Sequence, residues 1–329
     1  MEKSNIKDIC KVFLLAFFLP QLVGFCAVLF FMPFFEDTNA LQNSYLYIFT
    51  MSLLAQACFF VIYYFYSKKN KVAFKTEIKS IKNKASLNNI LLCVLISVIA
   101  VFGLVYFVQI FDIIFSKIGY KPSDLALPLN TFGWFLVNVL ISAVTPAIME
   151  ELIFRKIIFK GLRRKGFWFS AIISSVMFML VHQNLGSTAY PIIMGIIFCL
   201  VVEKTGSVFY SMVIHFGNNF IVLLINFIQN ISRKPIFIEL NFWWQYSIAI
   251  IVALLAVFVI YLIIQKMLDK KCEVIEIKES TKDEENELLI TAEKIEEEKL
   301  EKKAEARTII YTLIISAVFW IILVATSLL

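Results

Sequence analysis

Ala147-Ile148-Met149-Glu150-Glu151-Leu152-Ile153-Phe154-Arg155 sets two carboxylates and a guanidinium inside one of the most apolar stretches of a very apolar chain. An ionised side chain at the middle of a membrane-spanning helix costs roughly 3 kcal/mol on insertion scales, so such groups are usually there for a function. Glu151 and Arg155 stand i,i+4 and can neutralise each other on one helix face. That pairing leaves Glu150 without a reason. It also leaves the chain's 2 histidines, His182 and His215, each inside another hydrophobic stretch.

The surroundings set the class. The 329 residues are 60% hydrophobic with a mean hydropathy of +0.81, far above the roughly half-apolar norm of soluble domains. Repeated apolar runs near 20 residues predict an all-α, polytopic helical membrane protein. Nine spans are expected, at about 10–35, 45–66, 88–113, 132–160, 167–184, 190–203, 207–228, 243–265 and 308–329. The first, from Cys10 to Phe35, is too long for a signal peptide and reads as a retained span. The 6 cysteines lie singly, without CxxC or Cys/His clusters, so neither a disulfide framework nor a thiolate metal site is expected.

The net charge of +6 hides an asymmetry: residues 266–307 carry 10 basic and 14 acidic side chains, and the remainder 21 basic and 11 acidic. The basic excess sits at span ends, which speaks for topology and anionic lipid and against nucleic acid. With alternating spans, predicted inner segments hold 26 Lys/Arg and outer segments 4. This places the N-terminus in the cytoplasm and the C-terminus outside. The inner segment Val72–Lys84 reads as a positive-inside loop, with one apolar face that can lie on lipid. The organisation expected is N-terminal helices over 1–131, a catalytic membrane core over 132–228, an eighth helix within 229–265, a charged cytoplasmic linker over 266–307 and a C-terminal anchor over 308–329.

Three segments place polar groups at helical spacing: Glu150-Glu151-x-x-x-Arg155, Phe178-x-x-x-His182 and His215-x-x-x-Asn219. An i,i+4 pair shares a helix face. At about 1.5 Å per residue, Glu150 lies ~21 Å above Arg164, His182 ~25 Å above Lys165 and His215 ~16 Å above Lys204. The three groups therefore fall in one band of the membrane. A carboxylate with two imidazoles can hydrolyse a peptide bond. Glu150 can deprotonate water with His182 helping to hold it. His215 and the Asn219 amide can then donate to the oxyanion, with Arg155 orienting Glu151. The same atoms allow a zinc mechanism, with Glu150, His182 and His215 as ligands and Glu151 as base.

The ordered set Glu150-Glu151-Leu-Ile-Phe-Arg155, Phe178-Met-Leu-Val-His182 and His215-Phe-Gly-Asn-Asn219, on separate spans, resembles the three motifs of the CPBP family. That family comprises type II CAAX prenyl endopeptidases and bacterial bacteriocin-processing or immunity relatives. Ile173-Ser174-Ser175, Gly195 and Thr205-Gly206-Ser207 agree with the pattern; Lys156, where many relatives have glycine, departs from it. The resemblance covers roughly 130–228. It implies an intramembrane endopeptidase of glutamate type, with the first glutamate activating water and the second histidine and the asparagine forming the oxyanion site. No cofactor is implied, so zinc is the second choice.

The expected partners are the lipid bilayer and a membrane-associated peptide or protein substrate. The Lys- and Ile-rich composition suggests a bacterial cell membrane. Two other classes remain open: a non-catalytic regulator of the same fold, and a transporter with a proton relay, against which the absence of internal repeats speaks. Asn138, Gln56 and Gln109 read as interhelical hydrogen bonds, Glu203 as a charge pair with Lys204, Asp112 as a span-end residue without a role, and Trp243-Trp244 as an interfacial belt.

Overall fold

Apolar side chains run all round most of the long helices, as they must where lipid replaces water on the outer face and backbone groups have to be satisfied within the segment. The computed structural model describes residues 5–70, 86–120, 127–186, 188–267 and 287–326. The described residues are helical throughout their ordered elements, with no strand. The chain runs through α1 (Ile6–Phe31), the short α2 (Thr38–Gln42), α3 (Tyr45–Lys69), α4 (Leu87–Lys117) and α5 (Phe132–Lys165). It continues through α6 (Phe167–His182), α7 (Ala189–Thr205), α8 (Val208–Ser232), α9 (Trp243–Lys266) and α10 (Glu287–Thr326). The basic segment Val72–Lys84 lies outside the described residues, as does 268–286 of the charged stretch.

All nine expected spans are helices, and 7 of them are long and apolar enough to cross a membrane. The exceptions are α6, with 16 residues, and α7, with 17. At about 1.5 Å per residue each rises some 25 Å, short of the ~30 Å hydrocarbon core. The two pack on each other as a hairpin. Gly195 permits the close approach: a side-chain carbon there would stand 2.6 Å from Ser175 Oγ and 3.0 Å from Ser175 Cα. α6 ends where Gln183 takes a left-handed turn, at φ 49°. The tip of this hairpin leaves helical geometry, and its His182 lines a cavity, the kind of place where non-helical backbone is tolerated within a membrane.

α4 packs on both α8 and α9, α1 on α3, and α8 on α5. The core is continuous across these contacts, with Phe13, Ile96, Phe154, Met177, Phe198 and Ile214 all nearly fully buried in one cluster. The end of the charged stretch, from Glu287, is already helix and runs without a break into the last span, so α10 has 40 residues. Phe319 of α10 packs against Phe17 and Phe18 of α1, at ring-centroid distances of 5.9 and 5.0 Å. Glu305 of α10 forms ion pairs with Arg164 and Lys165 at the end of α5.

Candidate active site

α5 carries the two glutamates, and its winding loosens on either side of them. Wide π turns occupy Val139–Val144 and Leu152–Phe159, with Thr145–Glu151 in ordinary α geometry between. Such turns are rare and concentrate at functional sites. Pro146 adds a second irregularity. It has no N–H to give the Ser142 carbonyl four residues back, and Asn219 Nδ2 of α8 donates to that carbonyl instead, at 3.0 Å.

Consecutive residues on a helix point about 100° apart, so the two glutamates enter different surroundings. Glu151 turns inward and has no exposed surface. Its carboxylate faces Arg155 Nε at 3.4 Å and His215 Nδ1 at 3.3 Å. Arg155 is equally buried, and its guanidinium lies over the faces of Phe178 at 4.4 Å and Phe198 at 4.8 Å. The ring quadrupoles and one carboxylate hold a charge that would otherwise be strongly unfavourable at this depth.

Glu150 turns the other way, onto the wall of a cavity of about 460 Å³ that His182, His215 and Asn219 also line. Its Oε2 stands 3.8 Å from His215 Nε2 and has no hydrogen-bond partner among the described residues. His215 thus has Glu151 at one ring nitrogen and Glu150 beyond the other, while its ring stacks on Phe198 at 5.3 Å and 21°. His182 is the last residue of α6, at the hairpin tip. Its Nδ1 lies 2.8 Å from the Phe178 carbonyl. A carbonyl only accepts, so Nδ1 carries the proton and Nε2 is left as an acceptor.

The α5, α6 and α8 motifs therefore meet in one place, with Glu150, His182, His215 and Asn219 on the cavity and Glu151 and Arg155 behind it. Among the described residues no three His, Cys, Asp or Glu side chains stand where they could hold a metal ion.

Sequence reasoning passed over several groups here. Tyr190 donates its hydroxyl to Asn218 Oδ1, Asn218 Nδ2 donates to Asn219 Oδ1 at 3.4 Å, and Asn219 donates to Ser142. This relay decides which way the Asn219 amide faces. Phe198 insulates Arg155 from solvent and supports His215. Gln56, read as an interhelical hydrogen bond, instead lines the cavity with a buried Oε1 that has no partner among the described residues. It also lines a smaller chamber of about 170 Å³ behind Glu150, shared with Ala16, Pro20 and Gln21. Asn138, also read as an interhelical hydrogen bond, instead stays local, donating to the Trp134 carbonyl of its own helix at 2.8 Å and to the Pro128 carbonyl just before that helix at 3.1 Å. Glu203 pairs with Arg163 of α5, 2.9 Å from its Nε, and not with Lys204.

Residues 132–221 match the family model for type II CAAX prenyl endopeptidases, Rce1-like. That segment is Rce1-like. The matched segment begins with α5 and ends just beyond Asn219, so the Rce1-like region and the geometric site coincide. The chain is also 35% identical over 109 residues to the Bacillus subtilis protein named "Putative membrane peptidase YdiL", an alignment covering 32% of this chain and 45% of that protein. The chain thus spans less than half the length of this curated relative. No solved structure matches it significantly.

Proposed function

We propose that the protein is an intramembrane endopeptidase that hydrolyses a peptide bond in a membrane-associated peptide or protein. The observation that carries this reading is the meeting of Glu150, His182, His215 and Asn219, from three apolar helices, on one cavity. In this reading a water molecule sits between Glu150 and the acceptor Nε2 of His182, with Gln56 helping to hold it. Glu150 takes its proton as the oxygen attacks the scissile carbonyl. Asn219 has one amide hydrogen committed to Ser142, which leaves the other for the oxyanion. His215 serves beside it as imidazolium, giving Nδ1–H to Glu151 and Nε2–H to the developing charge. The protonated ring also brings Glu150, Glu151 and Arg155 to overall neutrality. Glu150 then returns the proton to the leaving amine.

The reaction is drawn through Glu150 and water, without a metal. The protein would sit in a bacterial cell membrane with its N-terminus in the cytoplasm, on the 26-to-4 bias of Lys and Arg across its segments. The deciding experiment is cleavage of a panel of prenylated and unprenylated peptides by purified protein in detergent. Wild type and Glu150→Gln are compared, each with and without a zinc chelator. Cleavage lost in the variant and retained with chelator supports the proposal. Loss with chelator, reversed by added metal, replaces it with a metalloprotease. No cleavage by folded wild type turns the reading towards a non-catalytic member of the family.

A further inference from the structure

The catalytic cavity opens into a second, larger space. A chamber of about 630 Å³ shares Ser142, His182, Tyr190, Asn218 and Asn219 with it and runs on between α4 and α8. The two helices start in contact: Ser97 Oγ of α4 reaches the Ile214 carbonyl of α8 at 3.1 Å. Beyond that contact both line the chamber, and the walls are mostly apolar. Val101, Val105 and Val108 face in from α4, Val222 and Leu223 from α8.

One carboxylate interrupts this apolar wall. Asp112 lies one helical turn beyond Val108, on the same face of α4. It sits hard against the tip of the α6–α7 hairpin, where a side-chain carbon on Gly186 would stand 1.9 Å from its Oδ1. Asp112 is exposed and has no ion pair or hydrogen bond among the described residues. The neighbouring Gln109 is already committed, its Oε1 accepting from Leu240 N at 3.2 Å. A carboxylate on an apolar wall at the membrane is favoured by a cation brought to it.

We propose that this chamber is a substrate subsite, and that Asp112 selects a lysine or arginine held about four residues from the cleaved bond by an apolar stretch. The spacing follows from the helices. Counted from the Ser97–Ile214 contact, Asn219 is ~8 Å along α8 and Asp112 ~22 Å along α4, at about 1.5 Å per residue. An extended peptide covers the difference of ~15 Å in about four residues, at ~3.3 Å each. The substrate class is thus an extended apolar segment with a basic residue near its membrane edge. The inference rests on the peptidase reading for the position of the cleaved bond, but binding can be read separately.

The test uses fluorescent, otherwise uncharged apolar peptides with a single lysine walked along the chain, against the same peptides with norleucine. Binding to full-length Glu150→Gln is measured by anisotropy and cleavage by wild type. The expected result is lysine favoured over norleucine by about tenfold or more in both Kd and kcat/KM, at one position about four residues from the cut. Asp112→Asn, in either background, collapses that ratio towards one. No lysine preference at any position overturns the proposal. So does a preference that survives Asp112→Asn. Lysine-selective binding that depends on Asp112, with no cleavage by wild type, upholds the subsite and removes the peptidase reading. Cleavage that needs Glu150 without lysine preference does the reverse.

Discussion

Glu150 and Glu151 are the same residue one position apart, yet they belong to different regions of the molecule. Glu151 lies in the packed interior between α5, α7 and α8, where Arg155, His215 and two phenylalanine rings define its surroundings. Glu150 lies on a cavity wall with one carboxylate oxygen unpaired among the described residues. A buried pair of charges gains from excellent geometry and loses heavily when one member is removed. An unpaired oxygen facing a cavity has no partner to lose on substitution. The difference teaches that one glutamate is committed to its neighbours and the other is left open to whatever enters the cavity.

Substitutions can break that contrast. The largest expected effect is on activity: Glu150→Gln lowers kcat/KM by about 10³-fold or more, with an unfolding midpoint in detergent close to wild type. A large loss of stability there would merge the two roles. Glu151→Gln is expected to do the opposite in kind. It leaves the Arg155 charge buried without its carboxylate and destabilises the fold by about 3–5 kcal/mol, read from denaturant unfolding. Removing both charges, as Glu151→Leu with Arg155→Met, is expected to be less destabilising than Glu151→Gln, yet cleavage stays lost because His215 no longer has Glu151. Phe198→Leu removes one ring face from Arg155 and the stack from His215, for about 2 kcal/mol of stability. Gln56→Leu, beside Glu150, is expected to lower kcat about tenfold with little change in KM or in the unfolding midpoint. The smallest effect belongs to the exposed pair: Arg163→Ala costs less than about 1 kcal/mol and leaves cleavage unchanged.

Much of this contrast is legible in the sequence, for identifiable reasons. Helix number follows from apolar runs, a local property. The meeting of Glu150, His182 and His215 follows from spacing and depth, since a helix rise converts residue counts into heights. What stays hidden is whatever depends on a partner from another helix without a period of its own. Phe198 is one aromatic among 33 phenylalanines, and nothing in its neighbours marks it as the plate between Arg155 and His215. Tyr190, Asn218 and Gln56 are ordinary span residues until the helices are assembled. Glu203 misleads for a plain reason: adjacent residues on a helix do not face each other, so Lys204 is out of reach while Arg163 is not. The short lengths of α6 and α7 are legible too, because the largely polar run from Gln183 to Thr188 breaks the apolar stretch where the left-handed turn at Gln183 ends the helix.

The 40 residues of α10 make a rod of about 60 Å, twice the ~30 Å depth of a hydrocarbon core. The charges end at Arg307, and the apolar residues from Thr308 on account for the embedded length. The remainder stands in water as a stiff mast rather than a tether. Glu305 bolts that mast to Arg164 and Lys165, at the foot of the helix that holds Glu150. A pull on the Glu287 end is therefore passed to α5 through those two ion pairs.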